Sequence, residues 1–320
     1  MITTAGAVAK AIADAGIERV FGLPGGEILV LIDELRRAGV DFVLMRHEAN
    51  AGIAAAVYGK LRGQPGVVLA TLGPGAANLM LPLASAYLDQ EPLLAITAQL
   101  PDEFPPSHTH QLLPLHEHYL PICRVVGKIL CDNADELVPR ALAACMERPL
   151  TASYLTLSAR EATKASVGAG PAFKGGLSGS SPHGDPRAKA AELHRLLQTA
   201  ERPLVLIGLG VNAAHATPIR RWLNEWNLPV AVTPKVKGIV DETAANFVGV
   251  ISGMAADGLM VDALKESDLL IGLGLDPVEI DKLWHAELPI QWLLEAPQRW
   301  RARPGRRRAR QPCAAARCCC

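Results

Sequence analysis

A glutamate between an apolar run and an alanine-rich segment is the residue best placed for chemistry. Glu48 follows the apolar run 42–45 and precedes the segment 49–58. The run predicts a short buried strand and the segment a tightly packed helix. The carboxylate would then lie at the carboxyl edge of a sheet, where open α/β folds bind ligands, and would suit a proton exchange with a heteroaromatic ring. Alternatively, its charge only stabilises a helix N-terminus.

Two glycine-rich turns are further candidates for ligand contact. Residues 24–26 (Pro-Gly-Gly) and 73–75 (Gly-Pro-Gly) each stand between a predicted strand and a predicted helix. Glycine at such a turn lets the backbone approach a ligand closely, although turn geometry alone would also require it. The second turn is compatible with both interpretations.

A loop rich in histidine and proline is the third candidate. Residues 101–121 contain five prolines and four histidines and predict a functional loop or cap. The histidines His108, His110, His116 and His118 could also form a metal cluster or face solvent without a role. Because their spacing is not that of a helical ligand pair, we predict no metal site.

Alternating strand and helix patterns must position these residues. In the first half, strands are predicted at 17–21, 42–45, 67–72, 93–97 and 154–157, with helices between them and at 134–146. In the second half, helices at 187–199 and 218–226 alternate with strands at 204–208, 230–232 and 269–272. This alternation predicts an α/β fold class with two doubly wound parallel-sheet domains and a disordered C-terminal tail.

Composition divides the chain into four parts. We predict a first domain at 1–163, a Gly/Ser/Pro-rich linker at 164–186, a second domain at 187–296 and a disordered basic tail at 297–320. From residue 298 onward the sequence has eight arginines and no acidic residue. Its Arg, Ala, Pro and Cys bias is typical of a shifted reading frame. A tail that binds nucleic acid is the alternative interpretation.

Several protein classes are disfavoured by composition. The 320 residues are 49% hydrophobic, enough for about two domains. The sequence has no apolar run of about 18 residues and no leader pattern at its start. The seven cysteines show neither zinc spacing nor a disulfide framework. We therefore predict a cytoplasmic protein that binds neither membrane nor nucleic acid.

An ordered set of motifs resembles one enzyme family. The motifs are Val20-Phe21-Gly22-Leu23-Pro24-Gly25-Gly26, Arg46-His47-Glu48-Ala49-Asn50-Ala51, Thr71-Leu72-Gly73-Pro74-Gly75-Ala76-Ala77-Asn78, Ala86-Tyr87-Leu88-Asp89 and Arg202-Pro203-Leu204-Val205-Leu206-Ile207-Gly208-Leu209-Gly210. Together they resemble the thiamine-diphosphate-dependent 2-oxoacid enzymes, and most closely the acetolactate synthases. The resemblance covers about residues 1–295.

The resemblance implies a role for each candidate. The first domain would bind the pyrimidine of thiamine diphosphate, and the second would be the Rossmann-like central domain. Glu48 would exchange a proton with a pyrimidine ring nitrogen, and Gln111, here preceded by histidine instead of an aromatic residue, would point at the reaction centre. The implied cofactor-binding residues are Pro24, Gly25, Gly26, Glu48, Gly73, Pro74, Gly75 and Asn78.

The family's diphosphate-binding motifs do not occur in this sequence. Gly184-Asp185 is followed by proline, and there is no asparagine pair to hold the magnesium that bridges to the diphosphate. We therefore expect a cofactor half-site in a truncated, acetolactate synthase-like chain, inactive until a partner supplies the other domain, with magnesium bound only then. A 2-oxoacid decarboxylase of the same family and a non-catalytic protein that dimerises with intact members are the alternatives.

The resemblance also implies partners and a second cofactor. A 2-oxoacid would be the substrate, and the first domain would form a homodimer or a higher oligomer with exposed apolar surface. Acetolactate synthases hold a structural flavin in the central domain. Here Asp276-Pro277-Val278-Glu279 replaces their arginine-containing segment, which argues against FAD.

Overall fold

The computed structural model describes residues 2–105, 107, 110–167, 185–252, 257–276, 279 and 292–294. Most of the predicted linker, the predicted basic tail and His108 lie outside the described residues. None of the described helices has the length and apolarity needed to span a membrane.

The first sheet has six parallel strands. Its order is β2-β1-β3-β4-β6-β5, and every pairing is parallel. The strands are β1 (Arg19–Leu23), β2 (Asp41–Leu44), β3 (Gly66–Ala70), β4 (Leu93–Gln99), β5 (Cys123–Lys128) and β6 (Ala152–Ser158). Since the chain leaves β1 to one side for β2 and then to the other for β3, the direction of winding reverses at β1 and β3.

Eight helices accompany this sheet in the described part of the chain. They are α1 (Thr4–Asp14), α2 (Leu29–Arg37), α3 (Glu48–Arg62), α4 (Pro74–Ala77), α5 (Met80–Leu88), α6 (Leu115–Tyr119), α7 (Ala134–Met146) and α8 (Ala159–Thr163). Helices α1, α2 and α7 pack on one face of the sheet, and α3, α5 and α6 on the other. The predicted doubly wound arrangement is confirmed.

Local sequence explains where the first helices begin and end. The side chain of Thr3 caps α1 by accepting a hydrogen bond from the backbone N–H of Gly6. Gly16 and Gly39 follow α1 and α2 with positive φ angles of 76° and 79°, which suit glycine at a helix end.

Three sequence predictions for this domain were wrong in detail. Strand β2 was expected to be buried, but it lies at the sheet edge and Leu44 is exposed. Strand β5 was not predicted, and it forms the opposite edge. The helix predicted between the third and fourth strands is divided into α4 and α5, because Asn78 and Leu79 separate the two.

The second sheet is built in the same way. Its order is β11-β10-β7-β8-β9, with all pairings parallel. The elements are α9 (Pro186–Thr199), β7 (Pro203–Ile207), α10 (Ala216–Glu225), β8 (Val230–Val232), β9 (Phe247–Val250), α11 (Gly258–Glu266), β10 (Leu269–Leu273) and β11 (Trp292–Leu294). Buried side chains line both sheet faces, so two parallel-sheet domains are present.

Candidate functional site

The carboxyl edge of the first sheet brings the predicted residues together. Strands β1 and β3, where the winding reverses, end at the turns 24–26 and 71–75, and the neighbouring strand β2 ends just before Glu48. Ligands of open α/β sheets bind in the crevice at such a reversal. The strand order alone therefore predicts a ligand site at this position.

Glu48 is a buried carboxylate with a fixed partner. It is 6% exposed, and its Oε2 accepts a hydrogen bond of 2.9 Å from Nδ2 of Asn78. Its other oxygen, Oε1, lies 3.1 Å from the position that a Cβ on Gly75 would take. The side chain that caps α3 is His47, whose Nδ1 accepts from the N–H of Ala49. Glu48 is thus the first residue of α3, with its carboxylate directed at Asn78.

The turn after β1 approaches the turn after β3 very closely. A Cβ on Gly25 would lie 2.4 Å from Oγ1 of Thr71, so only glycine fits there without displacement. The Thr71 hydroxyl donates a 2.9 Å hydrogen bond to Oε2 of Glu27. Gly26, in contrast, is exposed and has open space around its Cβ position. Packing therefore requires Gly25 and leaves Gly26 unconstrained.

The turn after β3 contacts the histidine-rich loop. Gly73 has φ of +58°, and a Cβ there would lie 2.5 Å from Cβ of Gln111. Gln111 itself has a positive φ of 55° and is exposed. The exposed Pro74 then begins α4. Gln111 therefore lies against the turn that leads into α4, the short helix that contains Gly75.

A buried tyrosine forms a hydrogen bond to α4, next to this turn. The Tyr119 hydroxyl donates to the carbonyl oxygen of Ala76 at 2.5 Å, and the Tyr119 ring packs on Tyr154 with centroids 4.2 Å apart. Burial raises the pKa of Tyr119 above its ordinary value, so the phenol remains a hydrogen-bond donor. Tyr119, Glu27 and Thr71 were not predicted as site residues from the sequence. Tyr119 lies in the loop 101–121, Thr71 begins the motif 71–78 and Glu27 directly follows the motif 20–26.

The three histidines of the loop that the structure describes, His110, His116 and His118, have separate surroundings. His110 is exposed, the Nε2 of His116 lies 3.0 Å from the hydroxyl of Thr156, and Nδ1 of His118 contacts the carbonyl of Pro114. Burial lowers the pKa of His116. Within the described ranges no three His, Cys, Asp or Glu side chains are placed to hold a metal ion.

The two folded units match two domain models of one enzyme family. Residues 2–116 match the family model described as thiamine pyrophosphate enzyme, N-terminal TPP binding domain. Residues 190–291 match thiamine pyrophosphate enzyme, central domain. The chain therefore belongs to the thiamine pyrophosphate enzyme family and contains its N-terminal and central domains.

Within that family the chain is similar to acetolactate synthases. It is 31% identical over 319 residues to the acetolactate synthase isozyme 2 large subunit of Escherichia coli, covering 90% of this chain and 57% of that protein. It is 31% identical to acetolactate synthase of Mycobacterium bovis, covering 90% and 51%, and 29% identical to that of Bacillus subtilis, covering 87% and 49%. The chain thus spans about half the length of these relatives.

Proposed function

We propose that the first domain provides the pyrimidine side of a thiamine diphosphate site in an acetolactate synthase-like enzyme. Such an enzyme decarboxylates a 2-oxoacid and joins the remaining fragment to a second carbonyl compound. The observation that carries this proposal is the buried carboxylate of Glu48. One of its oxygens accepts a hydrogen bond from Asn78, and the other lies next to Gly75, which has no side chain.

Among these residues, the Glu48 carboxylate has the chemistry for a hydrogen bond and a proton exchange with a ring nitrogen. Gly25 and Gly75 provide backbone where any side chain would collide with Thr71, and such close approach favours glycine. Bound thiamine diphosphate would supply the electron sink for decarboxylation. Glu48 would hold or release a proton at its free oxygen, Asn78 would fix the carboxylate, and Gln111 would lie above the turn at Gly73.

The diphosphate and its magnesium require other residues. Magnesium binds oxygen ligands, commonly carboxylates together with phosphate oxygens, and the described residues contain no group of three His, Cys, Asp or Glu side chains placed for a metal. In the proposed enzyme a diphosphate-binding domain supplied by a partner holds both. The chain is then one half of a composite site.

Calorimetric titration tests this half-site. The 320-residue chain is titrated with thiamine diphosphate and Mg²⁺, alone and mixed with the separately expressed part of the Escherichia coli relative that lies beyond the matched region. We expect saturable binding in the mixture only. Binding in neither sample would overturn the cofactor site, and tight binding by the chain alone would overturn its division into halves.

An apolar surface beside the site suits a second protein domain. Ile53, Val57 and Leu61 recur every four residues on α3 and are exposed, Leu61 by 82%. Leu81 and Leu88 are exposed on α5, which packs against α3. Exposed apolar patches of this kind commonly mark interfaces. In the proposed assembly a second copy of the chain covers this surface, which we name the α3–α5 face.

Analytical ultracentrifugation checks the α3–α5 face. The wild-type chain is expected to sediment as a dimer or a larger species, and Val57→Glu as a monomer, because a charge cannot be desolvated there without a partner. Val167→Glu is the matched control, since Val167 is exposed by 77% away from this face and the change should leave association unaltered. A monomeric wild type, or equal behaviour of both variants, would contradict the assignment.

A further inference from the structure

The carboxyl edge of the second sheet is also a point where winding reverses. Strand β7 lies between β8 and β10, so the chain leaves β7 to one side and later returns on the other. The turns after β7 and β10 are joined directly, since Gly208 N–H donates to Leu273 and Gly210 N–H to Gly274, at 2.9 and 2.8 Å. Nucleotides bind at such a reversal in open α/β sheets.

A glutamate occupies this position. Oε2 of Glu279 accepts a 2.9 Å hydrogen bond from the N–H of Leu209, in the turn after β7. Oε1 accepts from the hydroxyl of Thr233, directly after β8. A Cβ on Gly208 would lie 2.6 Å from Oε2, so the carboxylate is packed onto the turn. It takes the backbone and hydroxyl donors that a phosphate would use.

The first domain covers the same edge. Nε2 of Gln90 donates to Oδ2 of Asp276 at 2.6 Å, and this contact is buried. Arg148 donates to the carbonyl of Gly210 at 2.9 Å, and Lys235 pairs with Asp89. The turns after β10, β7 and β8 thus each have a polar contact with the first domain. A nucleotide entering this crevice would have to break them.

We infer that Glu279 is an internal anion that closes the nucleotide-binding edge of the central domain, so that this domain holds neither flavin nor another nucleoside diphosphate. A phosphate placed on the turn at Gly208 would meet the Glu279 carboxylate, and two like charges disfavour each other strongly when partly desolvated. The flavin known from the synthases does not fit these residues.

The donors around Glu279 favour its ionised form and oppose the effect of burial. Burial raises the pKa of Glu279, while the hydrogen bonds from Thr233 and Leu209 act in the opposite direction. The carboxylate is held by donors in the turns after β7 and β8 and is partly shielded from water. Its function here is to fix the turns after β7 and β8 in place of a ligand.

Nucleotide binding by the full chain tests the inference. The purified protein is examined for flavin released on denaturation and titrated calorimetrically with FAD and with ADP. The wild type is expected to release no flavin and to bind neither compound. Glu279→Ala, which removes the anion, is expected to bind ADP measurably, with an affinity at least about tenfold above the detection limit that the wild type does not reach.

Two further variants keep the test decisive. Glu279→Gln retains the size of the side chain while removing its charge, so it replaces the alanine variant if circular dichroism shows that Glu279→Ala does not fold. Glu266→Ala, at an exposed site on α11, is the control and should bind no ADP. Stoichiometric FAD in the wild type, or ADP binding unchanged in both Glu279 variants, would overturn the assignment.

Discussion

Glu48→Gln is expected to weaken thiamine diphosphate binding at the composite site about tenfold or more and to lower turnover by about 10² to 10⁴. A hydrogen bond to a charged group contributes about 1.5–3 kcal/mol, and 1.4 kcal/mol corresponds to about tenfold in affinity. The turnover effect is larger because an amide cannot exchange a proton, and general acid–base groups typically contribute this factor. Glutamine keeps the shape of the side chain and can still contact Asn78.

The measurement separates proton exchange from folding. Binding is followed by calorimetry in the mixture with the relative's remaining part, and turnover by carbon dioxide release from a 2-oxoacid. Unfolding free energy should change by no more than about 1 kcal/mol, since the substitution is close in size. Glu18→Gln is the control, because Glu18 precedes β1 at the opposite edge of the sheet and pairs with Arg62. Equal turnover of Glu48→Gln and wild type would refute the assigned role.

The regular elements could be predicted where local signals agree with tertiary position. The helix Ala134–Met146 was predicted with its observed bounds, and the buried strand β3 within one to two residues. Both have strong apolar patterns that match their burial. Strand β5 was missed because its segment, Cys-Arg-Val-Val-Gly-Lys, mixes charge and glycine into the apolar run. Its pairing with β6 is a long-range contact with a register shift, which local pattern cannot show.

Strand order explains the error at β2. The apolar run before Glu48 looks like an interior strand, but burial depends on how many neighbours a strand has. In the sheet β2 pairs only with β1, so Leu44 is exposed. The sequence shows that the strand is hydrophobic, but it does not show which position the strand takes in the sheet. The apolar side chains of α3 show the same limit, since which of them are exposed depends on how the domain packs.

Some of the residues that meet at the candidate site were named from the sequence, and their contacts were not. The motifs identified Glu48, Gly75 and Asn78 by resemblance, yet the hydrogen bond from Asn78 to Glu48 joins residues 30 positions apart. Likewise, Thr71 and Glu27 meet across 44 positions. Such pairs depend on which strands are adjacent. At the central domain, the segment that argued against flavin contains Glu279, but only the fold places its carboxylate on the turn at Leu209.

Gly66→Ala is expected to destabilise the first domain by about 3 kcal/mol. A Cβ on Gly66 would lie 1.9 Å from the carbonyl oxygen of Ala55, so α3 and β3 touch through their backbones at this point. No rotamer change can relieve that collision, and α3 as a whole must move. Chemical denaturation of the variant and the wild type measures the loss.

The same substitution should also reach the candidate site. Helix α3 begins with Glu48, and a Cβ on Gly52 or on Gly59 would collide with Pro82 or with Gly66. Glycines at two contacts, with α5 through Gly52 and with β3 through Gly59 and Gly66, therefore fix the helix that carries the carboxylate. Moving α3 away from β3 should weaken thiamine diphosphate binding together with stability, whereas Glu48→Gln should weaken binding with little change in stability. Gly258→Ala, where a Cβ meets open space, is the control and should retain both. Full stability in Gly66→Ala would show that α3 is not seated on β3 in this way.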